Sequence, residues 1–130
     1  MTNQSYFKEL LKNITQWINA ELGDGDIRIK VQDLEQDLYD GLILRTLVEK
    51  LSGEQISMPA GEFVQSEARQ MVNLENVLNR IEEILNIPNN QVKWSVKSIY
   101  DRNILSTLKL LLKIIHYFNT NDNMNIPIHK

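Results

Sequence analysis

From Asp101 to Thr120 the chain reads DRNILSTLKLLLKIIHYFNT, and on a helical wheel its polar residues gather into one stripe. Arg102, Ser106, Lys109, Lys113, His116, Tyr117 and Thr120 fall within roughly 100° of arc. Ile104, Leu105, Leu108, Leu110, Leu111, Leu112, Ile114, Ile115 and Phe118 take most of the remainder. So apolar a helix is expected at the centre of the fold, wrapped by other helices on nearly every side. Its polar stripe is then a basic ridge facing water.

Three more segments carry the helical period. Phe7, Leu10, Leu11, Ile14, Trp17 and Ile18 predict a helix over about 5–22, with Ser5 as its cap and Gly23 as its stop. Leu42, Ile43, Leu44, Leu47, Val48 and Leu51 predict a second, capped by Asp37 or Asp40 and ended by Gly53. Met71, Leu74, Val77, Leu78, Ile81, Ile84 and Leu85 predict a third over about 66–86, closed by Pro88. Asp101 is expected to cap the fourth, where an acid complements the helix dipole.

The connections are informative too. IRIKV at 27–31 alternates like a strand, but nothing else in the chain offers a partner strand, so it is read as an extended connector. MPAGEF at 58–63 is a loop by its Pro and Gly, and 87–100 is a connector whose Trp94, Val96 and Ile99 tuck into the core. The connections at 27–36 and 52–65 are too long for a simple up-down bundle, so the expected class is an all-α globule. The Asn-rich segment 119–130 is expected to be poorly ordered unless Ile126 and Ile128 dock.

Bulk composition narrows the function classes. The 130 residues suit one domain, and a net charge of −3 gives no global pull toward nucleic acid or anionic membrane. With no cysteine there is no thiolate catalysis, disulfide or Cys-based zinc site, which fits a reducing compartment. MTNQSYFKELLKNI has no signal-peptide pattern, and Lys109 and Lys113 interrupt the longest apolar run, so the expectation is a soluble cytoplasmic domain.

Few residues invite chemistry. GDGD at 23–26 is followed by apolar and basic residues rather than oxygen ligands, and lacks both the strand before and the GK[ST] after of a phosphate loop, so it is a turn. Glu82 and Glu83 are neighbours that point apart on a solvated face. His116 and His129 have no third ligand, so no metal site and no cofactor is expected. Trp17 and Trp94 are read as core aromatics, and Gly41 as a position that allows close helix approach.

The order of these elements resembles a calponin-homology domain over residues 5–118. A first helix with a buried Trp is followed by DLYDGLILRTLVEKLSG, by ENVLNRIEEILNI, and by V-K-x-I-Y-D leading into an apolar helix that ends HYF. DLYDG at 37–41, VQSE at 64–67 and VKWSVKSI at 92–99 are similar to the first such domain of parvins. The resemblance implies a calponin-homology fold of four main helices plus short connecting helices around the apolar C-terminal helix. It implies an interaction module without catalysis, a monomer, associated with the cytoskeleton. Its implied role is a parvin-like adaptor between adhesion or signalling complexes and actin, with weak direct filament binding as a further expectation.

By position, the family's actin contacts fall on Lys8 and Lys12 of the first helix and on Arg102, Lys109 and Lys113 of the last. The alternative is a scaffold whose groove takes a helical partner motif without touching actin, with Tyr6, Phe7, Leu10 and the tail isoleucines as its candidate apolar surface. Microtubule binding, which some relatives of this family show, calls for a stronger positive patch than an acidic chain offers.

Overall fold

The computed structural model describes residues 3–25 and 29–119. Six helices are present among them: α1 Asn3–Leu22, α2 Leu34–Asp37, α3 Leu42–Ser52, α4 Glu67–Leu85, α5 Val96–Tyr100 and α6 Ile104–Phe118. One 3-10 turn, Asn89–Gln91, separates α4 from α5. The described residues hold no strand, so the protein is all-α, as its periodicity predicts. α1 packs on α3, α3 on α4 and α6, α4 on α5, and α5 on α6.

α1 turns Leu10, Ile14, Ile18 and Leu22 inward, one residue per turn, with Phe7, Leu11 and Trp17 half-buried beside them. Trp17 thus borders the core rather than filling it. The helix already includes Ser5, which is therefore not its cap. Gly23 ends it in the left-handed conformation, its N–H donating to the Asn19 carbonyl at 3.1 Å. The orphan carbonyls of that last turn are met by two ammonium groups from elsewhere in the chain. Lys30 donates to the carbonyls of Asn19 and Gly23, and Lys50 donates to that of Leu22 at 2.8 Å.

Of the expected connector 27–31, residues 27 and 28 lie outside the described residues. At its end Val31 is buried, and its N–H and C=O both bond the Asn19 side-chain amide at 2.8 Å. One amide does the work of a partner strand, which is how a lone extended residue can be buried.

The entry to α3 divides two roles that the sequence left open between Asp37 and Asp40. Asp37 belongs to α2, and its carboxylate accepts from the N–H groups of Gln32 and Asp33, each at 2.8 Å. Asp40 accepts from the Leu42 N–H at 3.1 Å, but the cap position of α3 is Gly41, which offers no side-chain cap, so neither aspartate is the cap that the sequence led one to expect. Between Asp40 and Leu42, Gly41 sits at φ 85°, where a Cβ would lie 3.4 Å from the Leu74 Cα. The start of α3 thus lies in contact with α4, and the positive φ is what favours glycine there.

The loop before α4 is bound down along its length. Three amides on α4, spaced three residues apart, face it. Gln70 donates to the Val64 carbonyl at 3.0 Å, and Asn76 donates to that of Ser57 at 2.8 Å. Asn73, 1% exposed, accepts from the Ala60 N–H and donates to the Gly61 carbonyl. From α3, Arg45 donates to the Ile56 carbonyl at 3.0 Å and Glu49 accepts from the Ile56 N–H at 2.8 Å, seating Ile56 in the core. Amides in buried positions are stable here because each finds a backbone partner.

The last two helices depart from the sequence reading at their joint. Ser95 and Ser98 form a reciprocal capping box at the start of α5, within the stretch expected to be plain connector. Asp101 ends α5 and takes the Lys97 ammonium at 2.8 Å, which raises the Lys97 pKa. The cap of α6 is instead Asn103, whose side chain accepts from the Ser106 N–H at 3.0 Å. Arg102 lies between the helices at φ 62°, so it is off the α6 stripe altogether.

α6 buries Thr107, Leu108, Leu110, Leu111, Ile114 and Ile115, and each aliphatic side chain there contributes about 1.5–3 kcal/mol. It is not wrapped on every side. Leu105 is 58% exposed and Leu112 only half-buried, so one apolar strip of the central helix faces outward beside the lysines. Residues 120–130, most of the segment expected to be poorly ordered, lie outside the described residues.

Candidate partner-binding surface

The half-buried strip of α6 borders a groove of about 500 Å3. One wall is α6, with Lys109, Leu112, Lys113 and His116; the other is the end of the 3-10 turn and the connector after it, with Gln91, Lys93 and Trp94. Leu112 follows Leu105 by two helical turns, which extends the apolar strip toward the start of α6.

Local chemistry puts the connector there. Asn86 ends α4 in the left-handed conformation, and the Ile87 N–H donates back to the Glu82 carbonyl at 3.0 Å. Pro88 then forbids further helix and the chain turns through Asn89–Gln91. Trp94 is the anchor: 7% exposed, it packs into the core and donates its indole N–H to a Glu82 carboxylate oxygen at 3.0 Å. A buried tryptophan with its one donor satisfied is a rigid floor. Gln91 ties the two walls together by accepting from the Lys113 ammonium at 2.6 Å.

The electrostatics are one-sided. Lys93, Lys109 and Lys113 rim the groove with His116, and no carboxylate is among its lining residues. Among the described residues, Lys93, Lys109 and Lys113 make no ion pair. The site therefore combines an apolar floor with uncompensated positive charge.

The five residues carried over by position separate in space. Lys109 and Lys113 share the groove. Lys8 and Lys12 are exposed on α1, which packs on α3, and neither lines the groove. Arg102 belongs to a different cluster. Its guanidinium stands 3.8 Å over the Tyr39 ring, and Tyr39 meets Tyr100 edge to face at 5.4 Å. The Tyr100 hydroxyl donates to the Gln70 amide oxygen at 2.6 Å. Beside them, burial pushes the Asp40 carboxyl above its ordinary pKa, against the Leu42 N–H and the Arg102 charge, which both favour its ionised form.

Sequence reasoning found the lysines of α6 but missed Gln91, Lys93 and Leu112 as site residues, and it read Trp94 as core first, with room for a surface role in its connector. The clearest local signal was the Lys93–Trp94 dipeptide in a connector, a cation beside an aromatic in a segment with no helical face to turn it inward. Leu112 carried only a weak signal, its place on the wheel at the edge of the polar stripe, about 40° from His116.

Comparison with known proteins agrees with this architecture. The profile of the family described as "Calponin homology (CH) domain" matches residues 8–120. The chain is 39% identical over 112 residues to beta-parvin of Homo sapiens, covering 86% of this chain and 30% of that protein. Identity to gamma-parvin of Homo sapiens is 37% over 112 residues, 86% of this chain and 33% of that protein. "Paralyzed arrest at two-fold protein 6" of Caenorhabditis elegans is 39% identical over 102 residues, 78% of this chain and 26% of that protein. The chain thus spans about a third or less of the length of these relatives. No solved structure gave a significant match.

Proposed function

The chain belongs to the calponin-homology family, in its parvin-like branch, and from that we propose that it is a non-enzymatic cytoskeletal interaction domain whose contact surface is the α6 face. Its role is that of an adaptor joining adhesion or signalling complexes to actin in the cytoplasm, acting as a monomer. Filamentous actin or an adhesion protein is its partner. No described helix is long and apolar enough to cross a membrane, which is compatible with this role.

The observation that carries the reading is the row of uncompensated lysines on the central helix. Arg45, Arg80 and Lys97 are engaged in internal ion pairs and Lys30 and Lys50 bond helix-end carbonyls, whereas Lys93 and Lys109, like Lys8 and Lys12, have no such partner among the described residues. A local basic patch on an acidic chain steers an acidic partner to one face. Lys8 and Lys12 form a second, separate contact in this reading, and Arg102 stands apart, held over Tyr39.

A second reading, a groove that takes a partner peptide without direct actin contact, is favoured by the apolar floor of Trp94 and Leu112, which a purely electrostatic filament contact would not need. Co-sedimentation with filamentous actin at low and physiological salt separates the two. If wild type pellets and Lys109→Glu/Lys113→Glu does not, the lysine face is the actin contact. If neither pellets, direct filament binding is excluded and the groove reading stands.

A further inference from the structure

Where α3 and α6 end beside α4, a second pocket of about 400 Å3 opens. Its size lies in the lower part of the roughly 300–1,000 Å3 that holds small ligand groups. Leu51, Ile84, Tyr117 and Phe118 give it apolar surface, and its charge comes from Glu54, Glu83 and Arg80. Arg80 divides its fork between Glu54 at 2.9 Å and Glu83 at 3.3 Å, so two carboxylates share one guanidinium and leave a net negative charge. Glu83 is the open one: its side chain is 70% exposed, and among the described residues its second carboxylate oxygen takes no bond. The helix ends add to that sign, because the orphan carbonyls of a C-terminus carry partial negative charge. In each last turn the basic residue is directed elsewhere. The Lys50 ammonium bonds the Leu22 carbonyl at the end of α1, and His116 lines the α6 groove instead. Tyr117, 43% exposed and edge to face with Phe118 at 4.9 Å, adds an aromatic ring, whose face attracts cations.

We propose that this pocket binds an arginine side chain of a partner protein. The guanidinium lies on the Tyr117 ring and donates in its own plane to Glu83, while its methylenes rest on Leu51 and Ile84. A planar fork does both at once, whereas an ammonium is a point charge, so arginine is preferred to lysine. A metal ion is the poorer occupant, because the described residues gather no group of three His, Asp or Glu that could hold one. The site is separate from the α6 groove: the two share no lining residue and carry opposite charge. It gives the domain a second contact, selective for a basic segment.

The test titrates a blocked Gly-Ser-Arg-Ser-Gly peptide into isotopically labelled protein and follows backbone amides and indole N–H signals by NMR. The expected result is a saturable shift at the amides of Ser52, Glu54, Tyr117 and Phe118, with the Trp94 indole of the α6 groove unmoved. Citrulline in place of arginine keeps the shape and removes the charge, and is expected to weaken binding about tenfold; lysine is expected to weaken it about threefold. Glu83→Gln and Tyr117→Leu should each cost about threefold in affinity, and the two together about tenfold. Both side chains are exposed, and leucine keeps apolar bulk beside Phe118, so an unchanged Trp94 indole signal verifies that these variants are folded.

The proposal fails if no saturable shift appears, or if the citrulline peptide binds as tightly as the arginine one. It also fails if the lysine peptide matches arginine, which would reduce the site to a point charge, or if the folded double variant keeps wild-type affinity. Shifts centred on Glu35 and Asp37 of α2, rather than on the ends of α3 and α6, would overturn it as general attraction of a cation to an acidic chain.

Discussion

The cations of α3 and α4 and those of the α6 groove do opposite work. Arg45 bonds the Ile56 carbonyl and pairs with Glu49 and Glu62; Arg80 pairs with Glu54 and Glu83. Both hold the loop before α4 against the helices. Lys93 and Lys109 hold nothing, and Lys113 bonds only a neutral amide. A positive charge in this domain is therefore structural when acids and carbonyls surround it and available when none do. The sign of a residue says less about its role than whether its donors are already taken.

The sharpest way to break that contrast is to remove a buried partner on the loop side. Asn73→Ala empties a nearly inaccessible position and takes the partner from the N–H of half-buried Ala60 and from the carbonyl of exposed Gly61. It should cost about 2–3 kcal/mol in urea unfolding. A loss below about 0.5 kcal/mol would show that the loop is not held by its amides. Arg45→Ala comes next. Loss of one carbonyl bond and two carboxylate pairs, partly exposed, should cost about 1–2 kcal/mol by the same measurement.

The joint of α2 and α3 should show a smaller effect that depends on pH. The folded Asp40 carboxyl titrates above its ordinary value of 3.8, chiefly through burial. The stability tied to its neutral form is fully present below that value and is lost as pH rises through the raised one. Asp40→Asn cannot ionise and keeps an acceptor for the Leu42 N–H. Thermal melts should show it gaining on wild type as pH climbs from the acid end to neutrality, and a gap independent of pH would refute the burial argument. The smallest stability change belongs to the groove: Lys109→Ala should leave unfolding within about 0.5 kcal/mol of wild type. A large loss there would mean that the lysine is structural after all, and the contrast would collapse.

What was legible in the chain follows from how local each feature is. Leu10, Ile14, Ile18 and Leu22 mark one face of α1 by spacing alone, and Gly23, Gly41 and Gly53 mark turns that only glycine adopts easily. Caps were less legible. Asp101 and Asn103 are both good first residues for α6, and the choice fell to Asn103 because Asp101 ends α5 and carries Lys97. The amide row Gln70, Asn73 and Asn76 gave no sign of its purpose, since its partners lie 6 to 19 residues away in a loop with no periodicity.

The chain's own pattern determined the helices, their apolar faces and the family they spell, because each of these depends on neighbours within a turn or two. Tertiary structure alone decided which cations are spent. Arg45 meets Glu62 from 17 residues away and Arg80 meets Glu54 from 26, while the connector that brings Lys93 and Trp94 beside Lys109 and Leu112 is placed only when α4 has ended and α6 has packed. Wheel position fixes the direction in which a side chain points, and only the folded chain supplies what stands there to receive it.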